Sequence, residues 1–311
     1  MVVAAPSISI VMPLFNKADQ VLEAIASVQA QTIDDWELVV VDDGSTDGGP
    51  AQVEKLIDPR IGLHRQANAG VAAARNAGAA LAKADVVAFL DADDLWDPGF
   101  LEAILALKLD YPQARWYATS YRIQRSNGET CQAKLQGLPP DFGRGLMAEY
   151  FVVAATSNPP VCSSAMAVKK ETLGAIGGFP VGIASGEDLL TWARLAQDYP
   201  LAYDTQARAT FRISGIERLP DARDAVGQAL TTMARAHPHI KGLRQYLGLW
   251  HRMRAVMFLR HGQRAEARRS AWYSVGAAVN GRNLYTLLLT VLPAAVGRLV
   301  DSALRTWRKP H

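Results

Sequence analysis

The stretch that decides the fold is Trp36–Asp47, WELVVVDDGSTD, in which an apolar run passes directly into acids, a glycine and hydroxyls. Similar apolar runs occur at Ser7–Leu14 (SISIVMPL) and Asp85–Leu90 (DVVAFL). Strands that are covered on both faces have this near-continuous apolar pattern, which is typical of parallel sheets. Each run therefore predicts a buried strand of an α/β sheet.

Between these runs the apolar residues change to helical spacing. Val21, Ile25 and Val28 fall on one stripe of a helix predicted over 18–30. The other predictions up to residue 124 are helices over 48–57, 70–83 and 98–109 and strands over 60–66 and 114–124. Short strands that alternate with helices predict βαβ units and a mostly parallel sheet.

The middle of the chain is less regular. Residues 125–145 are polar and rich in Gly and Pro, which predicts a loop over the site or a variable insertion. The block 162–214 predicts a strand at SSAMAV, a turn at Gly177-Gly178, a helix over 187–197 and a closing strand.

After Pro220 the pattern becomes wholly helical, and the charge changes sign. Helices are predicted over 221–236, 243–261, 263–279 and 283–307. Residues 1–220 have 18 Lys and Arg against 26 Asp and Glu, a formal charge of −8, whereas residues 221–311 have 15 against 4, a charge of +11. We therefore expect an acidic domain over 1–220 that carries the chemistry and a basic helical region over 221–311.

Composition excludes several classes of protein. With 49% hydrophobic and 20% charged residues, the 311-residue chain can bury a core, which excludes disorder and fibrous repeats. Two cysteines are too few for a disulfide framework and have no histidines at zinc-ligand spacing. No Lys or Arg precedes the first apolar run, and no long uncharged apolar stretch follows. We expect a cytoplasmic protein.

Acidic and small polar residues follow three of the predicted strands. Asn16 follows the first, Asp42–Asp47 the second, and Asp91-Ala92-Asp93-Asp94 the strand at 85–90. Turns and helix caps explain a single cluster equally well. However, parallel strands place their carboxyl ends at one edge, where ligands of such sheets bind. An Asp-x-Asp pair there can hold Mg²⁺ or Mn²⁺ together with substrate phosphates.

The stretch Asn68–Gly78, NAGVAAARNAG, has a glycine where a helix is predicted to begin and Arg75 one to two turns later. The positive end of the helix dipole and the guanidinium both favour an anion. An arginine in this position is also often solvated or paired with a carboxylate, so both interpretations stay open for Arg75.

Six segments together resemble the family 2 glycosyltransferases of the GT-A fold. In chain order they are Ile8–Asn16, Asp42–Asp47, Asn68–Gly78, Asp91–Asp94, Gly177–Phe179 and Gly186–Asp188. The resemblance covers roughly residues 6–215, and the motifs occur in the family's order. It implies a Rossmann-like domain that binds a nucleotide sugar on a mostly parallel sheet.

The resemblance also implies roles for residues around the nucleotide. Pro13 and Phe15 match positions that line the base, and Asp42 or Asp43 matches the acceptor of its N–H group. Arg75 matches a position expected to contact the diphosphate. UDP-linked sugars are the most frequent donors of the family.

The acidic motifs carry the chemistry that the resemblance implies. Asp91 matches the residue near the ribose, and Asp93 matches the ligand of a divalent metal, Mn²⁺ or Mg²⁺. In the Glu187-Asp188 pair, Asp188 matches the base of an inverting transfer. Such a base takes the proton of the acceptor hydroxyl as it attacks the anomeric carbon. The alternative for this pair is that both acids favour the N-terminus of a helix.

Two expected features of the family are missing from this sequence. The region after Phe211 reads Arg212-Ile213-Ser214-Gly215, without the histidine that often completes the metal site. No Gln-x-x-Arg-Trp signature of processive synthases follows Glu187-Asp188. We therefore expect a transferase that adds a single sugar to a saccharide or lipid-linked hydroxyl acceptor in cell-surface polysaccharide or glycolipid synthesis.

Other classes of protein fit less well. The first strand leads into Pro-Leu-Phe-Asn and not into the G-x-G-x-x-G of a dehydrogenase, and no P-loop is present. Nothing in the sequence predicts a nucleic-acid partner. The alternative from another class is a catalytically silent protein that binds a nucleotide sugar or serves as a scaffold, attached to a partner by its basic helices.

The last predicted helix has one polar stripe on an otherwise apolar surface. Over Leu284–Trp307 the stripe consists of Thr286, Thr290, Pro293, Gly297 or Arg298, Asp301, Arg305 and Arg308. A helix of this kind with basic residues at its end is typical of an anionic membrane surface. The apolar face could instead pack on the preceding helices or on a second subunit.

Overall fold

Strands and helices alternate through the first part of the chain, as the sequence predicts. The computed structural model describes residues 5–213, 219–221 and 223–292. The chain divides into two compact units, residues 1–216 and 217–311. The elements of the first unit are β1 (Ile8–Leu14), α1 (Val21–Gln29), β2 (Trp36–Asp42), α2 (Gly49–Glu54), β3 (Ile61–Arg65), α3 (Val71–Leu81), β4 (Val86–Phe89), β5 (Leu95–Trp96), α4 (Phe100–Asp110), β6 (Trp116–Gln124), β7 (Thr130–Gln132), β8 (Arg144–Met147), α5 (Tyr150–Thr156), β9 (Met166–Lys169), α6 (Lys170–Ala175), α7 (Glu187–Asp198) and β10 (Leu201–Arg212).

The strands of this unit form one ten-stranded mixed sheet. Its main order is β3-β2-β1-β4-β9-β6-β10-β5, with β7 paired to β6 and β8 to β10. The longest pairings, β1 with β2 and β6 with β10, are parallel. Strand β9 is antiparallel to both β4 and β6 and joins the two parallel regions. The predicted α/β fold with a mostly parallel sheet is confirmed.

Helix α3 lies close to the sheet because of a glycine. A Cβ atom added at Gly78 would come within 2.4 Å of Val11 Cγ1 on β1 and 3.2 Å of Val41 Cγ2 on β2. Only a residue without a side chain allows the helix to approach these strands so closely. This packing places the first turns of α3, including Arg75, beside the ends of β1, β2 and β4.

The prediction of a loop over 125–145 is wrong in part. Strand β7 lies inside this stretch and pairs with β6, and β8 begins at its end and pairs with β10. SSAMAV begins with a 3₁₀ turn, Ser163–Ala165, before the strand starts. The helices α5 and α6 were not predicted, because six or seven residues are too short for a helical period to stand out.

The second unit is helical throughout its described part, as predicted. Its elements are α8 (Ala225–Ala236), α9 (Leu243–Arg260), α10 (Arg264–Ala277) and α11 (Gly281–Val291). Helix α11 ends where Leu292 adopts the extended conformation expected before a proline. The rest of the helix predicted up to residue 307 lies outside the described residues. Among the residues described, no helix is both long and apolar enough to cross a bilayer.

Candidate functional site

The loops that follow β1 and β2 are joined by hydrogen bonds. Asn16, in the left-handed region with φ 51°, donates its backbone N–H to Ser45 Oγ at 3.1 Å. The Asn16 side-chain oxygen accepts from Thr46 N at 2.8 Å. Pro13 is buried in β1, whereas Phe15 beyond the strand is 47% exposed. The structure therefore brings the first two predicted motifs together and leaves an aromatic ring open beside them.

Asp42 and Asp43 have different surroundings at the end of β2. Asp43 accepts hydrogen bonds from Ala69 N at 2.8 Å, Gly70 N at 2.9 Å and Gln66 Nε2 at 2.8 Å. Its carboxylate thus fixes the chain that leads into α3. Asp42 accepts a hydrogen bond through Oδ1 from Ser45 N at 2.9 Å, and its Oδ2 lies 3.8 Å from the Nε of Arg65. The carboxylate of Asp42 therefore accepts fewer hydrogen bonds than that of Asp43.

Arg75 connects the first acidic motif to the last. Its Nη2 donates to the two carboxylate oxygens of Asp91 at 2.7 and 3.0 Å, and its Nη1 donates to Glu187 Oε1 at 3.2 Å. The side chain is only 3% exposed, and the guanidinium carbon lies 5.3 Å from the centre of the Phe179 ring. Burial disfavours the charged form, but the carboxylates of Asp91 and Glu187 outweigh it and raise the pKa of Arg75.

In the structure the guanidinium of Arg75 follows one of the two interpretations that the sequence left open. The arginine is paired with carboxylates, and the contact to a diphosphate stays a prediction. Four predicted motifs meet around Arg75. Its own motif contacts the Asp91–Asp94 loop and Glu187 through the guanidinium. The next residue, Asn76, exchanges hydrogen bonds with the backbone of Phe179 and so joins the Gly177–Phe179 turn.

Asp93 faces the loop after β1. Its Oδ2 accepts a hydrogen bond from Lys17 Nζ at 2.5 Å, and the side chains are 18% and 29% exposed, respectively. Sequence reasoning missed Lys17. The signal was present, since a cation two residues beyond Phe15 lies at the same edge of the sheet as the acids.

Asp94 is buried and holds the acidic loop in place. It is 1% exposed and accepts hydrogen bonds from Ser164 Oγ at 2.5 Å and from Arg212 N at 2.8 Å. Ser164 Oγ in turn accepts from Asp91 N at 3.0 Å. Burial, with the neighbouring charge of Asp91, raises the pKa of Asp94 well above its ordinary value. The sequence placed Asp94 in the motif without giving it a role.

The two acids at the start of α7 differ in their partners. Gly186, with φ 86°, turns the chain into the helix. Glu187 is bonded to Arg75, whereas Asp188 accepts a hydrogen bond from Leu189 N at 2.7 Å. In the described part of the chain, no lysine or arginine forms a salt bridge with Asp188.

Both acids hold their protons more tightly than usual. Burial, followed by the charge of Asp188, raises the pKa of Glu187 to about 7. Burial also raises the pKa of Asp188; the positive charge of Arg75 opposes this rise, and the charge of Asp91 adds to it. A carboxylate whose pKa is raised takes up a proton more readily than one in water.

The residues present fit a divalent cation that takes few ligands from the protein. Within the described residues, no three His, Cys, Asp or Glu side chains are arranged to hold a metal. Asp91 is engaged by Arg75 and Asp94 is buried, which leaves Asp93, already opposite the positive charge of Lys17. Mg²⁺ is commonly bound by one or two carboxylates together with substrate phosphates. The metal contact of Asp93 stays a prediction.

A mixed, mostly parallel sheet with acids gathered at the carboxyl ends of its strands is the architecture of the GT-A glycosyltransferases. Solved structures agree: TarS of S. aureus (residues 1–349) in complex with UDP-GlcNAc aligns with a TM-score of 0.63 at 17% identity, over 90% of this chain and 83% of that one. A mannosyltransferase from Pyrobaculum calidifontis in complex with GDP-Man and Mn²⁺ aligns with a TM-score of 0.60 at 22% identity, over 98% of this chain and 83% of that one.

The family follows from the sequence. The profile of Glycosyl transferase family 2 matches residues 9–173, just over half of the chain, and the chain belongs to this family. The family that the resemblance implied is confirmed.

Two curated relatives illustrate the range of the family. An uncharacterised glycosyltransferase of Rickettsia conorii is 30% identical over 216 residues, which is 67% of this chain and 33% of the relative. WcaA of Escherichia coli K12, whose name assigns it provisionally to colanic acid biosynthesis, is 39% identical over 123 residues, 38% of this chain and 44% of WcaA. The chain thus spans less than half the length of either relative.

Proposed function

We propose that this enzyme transfers one sugar from a nucleoside diphosphate sugar to a hydroxyl acceptor, with inversion at the anomeric carbon and with Asp188 as the base. The observation that carries the proposal is the difference between the two acids at the start of α7. Arg75 engages Glu187, while Asp188 forms no salt bridge with lysine or arginine in the described part of the chain.

The surroundings of Asp188 support the role of a base. Its raised pKa makes the carboxylate a better proton acceptor than an aspartate in water. Its bond from Leu189 N engages Oδ1 and fixes the side chain at the start of the helix. Arg75 stabilises this arrangement, because its guanidinium binds both Glu187 and Asp91. It thereby holds the start of α7 against the Asp91–Asp94 loop.

The opposite side of the site is suited to the nucleotide. We place the base of the nucleotide between Pro13, the exposed ring of Phe15 and the carboxylate of Asp42 or Asp43, with the ribose near Asp91. Asp93 would hold a divalent cation, Mn²⁺ or Mg²⁺, which when bound supplies positive charge against the diphosphate leaving group.

The donor and acceptor are proposed from the comparisons. UDP-sugars are supported by the UDP-GlcNAc complex of TarS, and the GDP-Man complex of the archaeal mannosyltransferase makes a guanine nucleotide the next donor to test. A saccharide or lipid-linked acceptor in cell-surface polysaccharide or glycolipid synthesis is supported by the provisional assignment of WcaA.

We also propose that the acceptor is met at an anionic membrane surface, on the cytoplasmic side. The formal charge of +11 over residues 221–311 supports this location, because basic segments are attracted to anionic lipid.

Release of nucleoside diphosphate from UDP-, GDP- and dTDP-sugars in the presence of Mn²⁺ tests the proposed reaction. We expect turnover with one nucleotide in preference to the others, and loss of that turnover in excess EDTA. Tight binding of a nucleotide sugar without release, with or without saccharide acceptors, would identify a catalytically silent binding protein and contradict the proposal.

A further inference from the structure

Helix α11 packs with its polar side inward. Asn283, Thr286 and Thr290 are at most 4% exposed, whereas Leu284 and Leu288 are each 47% exposed. The usual surface helix of a water-soluble protein has the opposite arrangement, with an apolar stripe against the core. The polar stripe predicted from the sequence is therefore present in this helix, but it faces the helices that precede it.

The buried polar groups of α11 have hydrogen-bond partners, which explains how this orientation is stable. The Asn283 amide donates to Ser274 O at 3.2 Å and to Ala278 O at 2.7 Å, at the end of α10. The hydroxyls of Thr286 and Thr290 donate to carbonyls of their own helix. Burial therefore leaves none of these three side chains without a bond.

Small residues bring α9, α10 and α11 close together. A Cβ atom added at Gly248 of α9 would lie 3.0 Å from Asn283 Nδ2 and 3.2 Å from Ser274 O. The hydroxyl of Ser274 also donates to Gly248 O at 2.7 Å. The small and polar side chains of the three helices therefore lie against one another, and the leucines of α11 are left on the outside.

The outer side of α11 carries a row of apolar side chains. Leu284, Leu288 and Val291 follow one another at helical spacing, and Val291 is 52% exposed. Trp272 on α10 is 59% exposed. We call Leu284, Leu288 and Val291 the apolar outer face. Single exposed leucines are ordinary, but a row on one helix whose polar side is buried indicates an interaction surface.

Basic side chains lie on α10 near this face. Arg268 and Arg269 lie one turn before Trp272 on α10 and are exposed, and the Arg269 guanidinium carbon lies 5.9 Å from the centre of the Tyr273 ring. Arg268 Nη2 donates to Thr290 O at 3.4 Å, which places it beside the end of α11. Arginines next to tryptophan and leucine are the composition of helices that lie in a membrane interface.

We propose that the apolar outer face inserts into the surface of an anionic lipid bilayer, with Arg268 and Arg269 at the level of the lipid phosphates. Charge favours this occupant over a second copy of the chain, because pairing two copies would bring together regions that each carry a formal charge of +11. The inference deepens the proposed membrane location, and it does not depend on which residue is the catalytic base.

Co-sedimentation of the full chain with lipid vesicles tests this inference. We expect binding to phosphatidylcholine vesicles that contain phosphatidylglycerol and much weaker binding to pure phosphatidylcholine. Leu284→Glu/Leu288→Glu should reduce binding to the anionic vesicles about tenfold or more, because it places two carboxylates in the apolar layer. Arg268→Gln/Arg269→Gln should reduce binding and its dependence on salt.

A matched control separates location from charge. Leu81→Glu/Leu109→Glu introduces the same two charges at exposed leucines of the first unit, which are 45% and 80% exposed, and should bind vesicles like the wild type. Equal vesicle binding by the α11 variant and the wild type would overturn the proposal. So would a large drop in melting temperature of the α11 variant, or a change from dimer to monomer without loss of lipid binding, since the face would then be covered by protein.

Discussion

The two units of the chain bury polar groups for different reasons. In the first unit the buried charges of Arg75 and Asp94 lie at one edge of the sheet beside the more accessible acids Asp91, Asp93 and Glu187. In the second unit the buried polar groups of α11 bind backbone carbonyls: Asn283 binds those at the end of α10, and Thr286 binds one of its own helix.

This difference helps to distinguish buried charges that belong to a candidate active site from buried polar groups that only stabilise the fold. Buried charge is costly, and in the first unit the cost is offset by partners from distant parts of the sequence, such as Arg75 and Glu187. In the second unit Asp224 caps α8 and accepts from Trp250 Nε1 at 2.8 Å, so its charge stabilises a fold without facing an open site. The following predictions test this contrast, from the largest expected effect to the smallest.

Replacing Asp93 should have the largest effect on activity. Asp93→Ala removes the carboxylate that we propose as the metal ligand, and turnover should fall about 10³-fold, a magnitude typical of a lost electrostatic contact to the transition state. The measurement is nucleoside diphosphate release at increasing Mn²⁺. Undiminished turnover of this variant, or of the wild type in excess EDTA, would contradict the assignment.

Removing Arg75 should affect both stability and activity. Arg75→Gln leaves Asp91 and Glu187 without their cation, and the free energy of unfolding should fall by about 3–5 kcal/mol. The matched variant is Arg254→Gln in α9, since Arg254 is 7% exposed and lies 3.4 Å from Asp224. It should lose stability but keep the turnover of each folded molecule. If both variants lost turnover per folded molecule, the buried arginines of the two units would not differ in their effect on activity, which would contradict the prediction.

The raised pKa of Glu187 predicts a pH dependence of stability. The native carboxyl holds its proton up to about pH 7, above its ordinary pKa of 4.5, so the native state binds more protons between these values. The free energy of unfolding should therefore fall as the pH rises from about 4.5 to about 7, by up to about 3 kcal/mol.

Urea denaturation across this pH range checks the prediction. Glu187→Gln should flatten the dependence, whereas Glu171→Gln, at a side chain that is 73% exposed, should leave it unchanged. A wild type whose stability rises with pH over the same range would show that the assigned direction is wrong.

The smallest expected effect concerns the nucleotide base. Asp42→Asn keeps an oxygen for Ser45 N but removes a carboxylate oxygen, so affinity for the nucleoside diphosphate should fall about tenfold with little change in stability. Asp43→Ala should lower stability as well, because it removes the acceptor of three hydrogen bonds. Isothermal titration with UDP distinguishes the two. Unchanged affinity in both variants would place the base elsewhere.

Much of the fold could be predicted because local pattern and tertiary structure agree. The apolar runs at 36–41 and 85–90 became β2 and β4, and the acids after them lie at the expected edge. Short elements such as β7 could not be predicted, since three exposed residues have no period and depend on pairing with β6.

The motifs of the site could be predicted from the sequence, but the contacts between their side chains could not. No spacing in the sequence connects Arg75 to Glu187, which is 112 positions away, or Lys17 to Asp93. Both contacts depend on the order of strands in the sheet. The sequence also could not predict that the polar side of α11 faces inward, because a polar stripe does not reveal whether water or other helices lie against it.

The central claim is that Asp188, and not its neighbour, accepts the proton of the acceptor. The most direct test compares Asp188→Asn with Asp198→Asn at the exposed far end of α7, measuring turnover and donor affinity separately. Asp188→Asn should lower kcat about 10²-fold or more while donor affinity changes little, and Asp198→Asn should resemble the wild type. If Asp188→Asn kept the wild-type kcat, or lost donor affinity to the same extent as turnover, Asp188 would not be the base.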